Sequence, residues 1–84
     1  MKIPARIVLP GNYVITVKML PKSEMVAQHD EADGCWDVDT HTIYIGKQLR
    51  RGKQDYVFRH ELIHAALDWA LRHDYITNGW DKEG

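Results

Sequence analysis

Cysteine occurs once in the 84 residues, as Cys35, phenylalanine once and proline three times. A lone thiol cannot close an internal disulfide, and it excludes any structural zinc site that needs two or more thiolates from this chain. A reducing compartment is the corresponding expectation. An excess of charge of either sign is also lacking. Eleven Lys and Arg stand against twelve Asp and Glu for a formal net charge of -1, so no global field draws the chain to nucleic acid or anionic lipid. Binding must then come from a local site. No stretch approaches the roughly 20 apolar residues of a membrane span. The segment Met1-Lys2-Ile3-Pro4-Ala5-Arg6 has no apolar core of the kind a signal peptide carries, so a cytoplasmic location is expected. Internal repeats, low-complexity tracts and linkers are not seen.

What is present fits one small domain over residues 1–84. The hydrophobic fraction of 44% and charged fraction of 27% are those of an ordinary globular chain. At this length only roughly 60 to 65 per cent of the unfolded surface is buried on folding, so a bound metal would add usefully to a modest core.

Apolar residues alternate at Ile3, Ala5, Ile7 and Leu9, then at Tyr13, Ile15, Val17 and Met19 across a Pro10-Gly11-Asn12 turn, predicting a hairpin whose first strand, with Pro4, lies at an edge. Pro21 ends the second strand, and Ser23 to Gln28 can form a short helix. His29 to Gly34 reads as a polar loop. A second hairpin is predicted from Cys35 to Val38 and His41 to Ile45 around Asp39-Thr40, with Ile43 and Ile45 facing the core and Thr42 and Tyr44 facing away. Gly46 to Gln54 reads as a connector. Its cations Lys47, Arg50, Arg51 and Lys53 lack interleaved aromatics for base stacking and read as a solvated loop. From Asp55, a candidate N-cap, residues Val57, Phe58, Leu62, Ala65, Ala66, Trp69 and Ala70 recur mostly at intervals of three and four. They predict a helix to about Arg72 or His73, with Asn78-Gly79 as a later turn. The fold class expected is α+β: a small antiparallel or mixed sheet of two hairpins packed on one long helix.

Within that helix lies His60-Glu61-Leu62-Ile63-His64, an H-E-x-x-H pattern. Residues four apart on a helix differ by about 40° in azimuth and 6 Å in rise, so both imidazoles can converge on one ion. Glu61 lies about 100° round from His60, which can hold its carboxylate beside the ion as a base towards a water there. Shuffling the chain's own composition yields the pattern in roughly one sequence per hundred. The apolar neighbours Leu62, Ile63, Ala65 and Ala66 are those of a buried helix with the ion at the floor of a cleft. The bland alternative is that His60 and His64 are ordinary core or surface histidines.

With this motif following Cys35-Trp36-Asp37-Val38, Thr42-Ile43-Tyr44-Ile45 and a connector, the stretch from about Gly34 to Trp69 resembles the zincin metallopeptidases. Among them it looks like the small cytoplasmic or phage-type members of the SprT-like and ImmA/IrrE-like groups. The resemblance implies a zinc-dependent peptidase, with Zn2+ held by His60 and His64 and Glu61 as general base. A zinc-activated water would attack a peptide carbonyl, and Glu61 would return the proton to the leaving amine. It also implies that the strand from Thr42 to Ile45 lies over the motif helix and pairs with an extended peptide or protein substrate. The alternative is a zincin-derived binding module that hydrolyses nothing; an intact Glu61 speaks against it.

A zincin's third ligand follows the motif helix, and here the candidates are Asp68, His73, Asp74, Asp81 and Glu83. Asp68 is one turn beyond His64 with a short side chain, and is better suited to a hydrogen bond to His64. His73 and Asp74 require the helix to break before them, and Asp81 and Glu83 require a reversal at Asn78-Gly79. Tyr75, His73, Tyr44 and His41 are candidate donors to a developing oxyanion. Cys35 is read as a small buried hydrophobe rather than a thiolate over the metal. His29, Asp30, Glu31 and Asp33 lack EF-hand spacing. Trp36, Trp69 and Trp80 are read as core or cleft-wall residues.

Overall fold

The computed structural model describes residues 2–30 and 32–72. Strand β1 (Arg6–Leu9) and strand β2 (Tyr13–Leu20) form the first hairpin, helix α1 (Lys22–His29) follows, strands β3 (Gly34–Asp37) and β4 (Thr42–Gly46) form the second hairpin, and helix α2 (Arg51–Arg72) ends the described chain. The strand order is β1-β2-β4-β3. Both hairpins are antiparallel, and β2 joins β4 in parallel, pairing Val17 with Ile43 and Met19 with Ile45. The sheet is therefore mixed and the fold α+β, as the sequence predicts.

Local chemistry explains the turns. Gly11 and Asn12 both take positive φ, which these residue types tolerate between Leu9 and its partner Tyr13. In the second hairpin Asp37 Oδ1 accepts a hydrogen bond from the Asp39 amide at 2.9 Å, bending the chain before His41, which also has positive φ. Asp30 closes α1 in a left-handed conformation with its N–H donated to the Met25 carbonyl.

Tyr13, Ile15 and Val17 of β2, Ile43 and Ile45 of β4, and Val57, Phe58 and Ala65 of α2 form the core, with Trp36, Leu62 and Trp69 packed at its margin. One sheet face thus rests on α2. On the other, His29 of α1 packs against Tyr44, the rings tilted by 34° with centroids 4.5 Å apart. Ile43 and Ile45 are fully buried as expected, but Thr42 is buried too. Its hydroxyl donates to the Thr40 carbonyl at 3.1 Å, so the turn supplies the partner that burial requires.

Two expectations are corrected. Helix α2 starts at Arg51, so Asp55 is a residue of the helix and not its N-cap, and the connector shrinks to Lys47–Arg50. The helix-forming bond from the Gln54 amide to the Arg50 carbonyl is already 2.8 Å. Strand β4 is interior, hydrogen-bonded to β2 on one side and β3 on the other, so it has no edge to offer a peptide. The edges among the described residues are β1 and β3. No helix among the described residues is long and apolar enough to cross a membrane.

Candidate metal centre

Helix α2 is anchored at both ends. Gln54 Nε2 donates to the Lys47 carbonyl at 3.1 Å, and Trp69 Nε1 donates to the Pro10 carbonyl at 2.9 Å. Between these points Val57, Phe58 and Ala65 are buried. These contacts fix the rotation of the helix and with it the place of the motif. Glu61 falls at the boundary of the buried face and is half-buried, whereas His60 and His64 fall on the exposed flank beside it. The two imidazoles lie edge to face, with ring centroids 5.1 Å apart and planes at 74°.

That spacing fits a shared ion. Two imidazoles bonded through nitrogen at about 2.0 to 2.1 Å from a tetrahedral zinc place their ring centroids about 5 Å apart. Neutral imidazole nitrogen is a favoured zinc donor, and the exposed flank gives an ion direct entry.

Glu61 is positioned by an edge strand. A Cβ on Gly34 would overlap Val57 Cγ1 and come within 3.4 Å of Glu61 Cγ. Glycine therefore lets β3 approach the motif helix closely enough to pack on the stem of Glu61. Sequence reading places Gly34 in a loop and misses this role; the signal available was a glycine opening a β-prone run. Beside the contact lies a cleft of about 230 Å³ lined by His60, Glu61, Tyr56, Lys53, Gly34 and Asp33 among others. Within that lining the Lys53 ammonium lies 3.8 Å from an Asp33 carboxylate oxygen and 5.3 Å from the Tyr56 ring centroid.

The flank is more open than the apolar neighbours of the motif suggest. Ile63 and Ala66 are exposed, so the ion would sit at a surface beside a shallow cleft and not at the floor of a deep one. Apolar side chains occur on both sides of this helix, and only those phased with Val57 and Phe58 meet the sheet.

Asp68 does not bond His64. Tyr13 Oη donates to Asp68 Oδ2 at 2.5 Å and Arg72 Nε donates to the same oxygen at 2.8 Å. Burial pushes the Asp68 carboxyl up, but the hydrogen bonds from Tyr13 and Arg72 and the charges of Arg72 and His41 outweigh it and hold it below its ordinary value. Tyr13 is pushed up by burial first and then by its bond to Asp68. The other third-ligand candidates, His73, Asp74, Asp81 and Glu83, lie outside the described residues, as do Tyr75 and Trp80. Among the described residues no group of three or more His, Cys, Asp and Glu is placed to hold a metal.

Of the candidate oxyanion donors, Tyr44 packs on His29, and His41 stacks on Tyr13 with ring centroids 4.2 Å apart. Neither is brought to the two motif histidines. Cys35 is half-buried, and its thiol is pushed up by burial and by the nearby Glu61 and Asp37 carboxylates. It is therefore held as a neutral thiol, in keeping with a packing role. The chain matches no protein-family model, and comparison with curated proteins and with solved structures finds no match.

Proposed function

We propose that the chain is a minimal zinc-dependent peptidase in which His60 and His64 hold the ion and Glu61 is the general base. The observation that carries this reading is the 5.1 Å edge-to-face placement of the two imidazoles on the open flank of α2, with Glu61 beside them. Bound zinc supplies a Lewis acid that polarises a carbonyl and lowers the pKa of a water towards neutrality.

The chain's own residues do the rest. Packing of Gly34 against the helix at Val57 and Glu61 limits the positions open to the Glu61 stem, and Glu61 lines the cleft. From there the carboxylate takes a proton from the attacking water and returns it to the departing amine. The edge of β3 opposite β4 offers main-chain donors and acceptors beside the same cleft, and an extended peptide or protein segment pairing there passes Glu61.

The test is hydrolysis of a broad peptide library by zinc-loaded protein, alongside metal content. Glu61→Gln is expected to lose at least about 100-fold in rate, the range for removal of a general base, while keeping its zinc. Zinc binding without any wild-type cleavage would replace the peptidase with a zincin-derived binding module. No zinc binding would remove both.

A further inference from the structure

The flank of α2 that carries the histidine pair also carries the most exposed apolar side chains of the helix. Tyr56 is 58% exposed, Ile63 61% and Leu67 41%. Together with His60 they occupy positions 56, 60, 63 and 67, spaced four, three and four apart. This is the 3.5-residue period of a seam that packs on another helix. The spacing reads the same in either direction, so an antiparallel copy related by a two-fold axis meets it in register. Tyr56 then faces the partner's Leu67, and His60 lies beside the partner's Ile63. Extended to positions 53 and 70, the seam holds one formal charge, Lys53, which this register sets against the partner's Ala70, so no like charges meet.

The metal chemistry points to the same occupant. Zinc takes four ligands, and the described residues of one chain bring two imidazoles to this flank without a third His, Cys, Asp or Glu placed to hold the same ion with them. A two-fold axis near the midpoint of the pair doubles two ligands to four. Resting on the reading that His60 and His64 bind zinc, we propose that this face docks a second copy of the chain, α2 against α2. One zinc is shared by His60 and His64 of both copies. With four imidazoles bound the ion has no open position, so the dimer is the latent form of the site and dissociation frees it.

Sedimentation equilibrium during zinc titration, with metal content measured on the same samples, tests this. The expected result is a doubling of mass that is complete at about half an ion per chain and reversed by chelation. His60→Ala should remain monomeric with zinc. Ile63→Lys changes a side chain that is mostly in solvent and so leaves the fold intact by circular dichroism. It places two ammonium groups beside the shared ion and should weaken zinc-dependent association at least tenfold. A chain that binds one zinc and stays monomeric overturns the dimer and leaves the metal reading standing. A chain that binds no zinc overturns both. Dimerisation that is equally strong without metal, or unaffected in Ile63→Lys, also refutes the shared site.

Discussion

Two residues distant from the motif decide how firmly it is held. Tyr13 ties β2 to the carboxylate of Asp68, one turn beyond His64. Tyr13→Phe keeps the ring and removes the bond, and should cost roughly 1.5 to 3 kcal/mol in urea unfolding, as expected for a hydrogen bond to a charged group. The pair also gives stability a pH signature. The folded pKa of Asp68 is depressed, so its contribution is present above about pH 4 and lost as pH falls through the folded value. The folded pKa of Tyr13 is raised, so its contribution is present below about pH 10 and lost as pH rises beyond that. The alkaline loss should be shallower in Tyr13→Phe than in the parent. Gly34 acts by absence of a side chain. Gly34→Ala drives a methyl into Val57, whose branched side chain is buried and stiff. It should lower unfolding stability by roughly 1 to 3 kcal/mol, the usual cost of overpacking.

At the level of elements, the hairpins and most of α2 were legible because alternation and three-to-four spacing are imposed by burial on one face. The first turn of α2 was not, because Arg51, Gly52 and Lys53 point to solvent and carry no apolar period. Gly52 in particular reads as a breaker, yet a Cβ there meets nothing within 4 Å. Gly52→Ala should therefore raise stability by about 0.5 to 1 kcal/mol, measured by thermal or urea unfolding, since helix propensity improves with no steric cost. The parallel union of β2 and β4 was equally hidden. Each strand's pattern states which face is buried but not which neighbour it joins, and this union makes β4 interior and leaves β3 at the edge beside Glu61. The motif spacing was readable from the letters. Its exposure was not, since Leu62, Ile63, Ala65 and Ala66 spread round the helix and only contact with the sheet selects among them.

On the scale of the whole molecule, one sheet face rests on α2, the exposed flank of that helix presents two imidazoles and an apolar seam, and the Glu61 carboxylate lies at the boundary between the two. A domain of this size gains stability from any ligand that binds only the folded state, so the proposed zinc site predicts a higher unfolding midpoint with zinc than without it. The central claim is that His60 and His64 grip one ion together. Its most direct measurement is the nitrogen resonances of the five histidine rings during zinc titration of the intact chain. One ring nitrogen of His60 and one of His64 should shift to metal-bound values in step, while His29 and His41, packed on Tyr44 and Tyr13, keep theirs. Rings of His60 and His64 that ignore zinc, or that respond independently of each other, would contradict it.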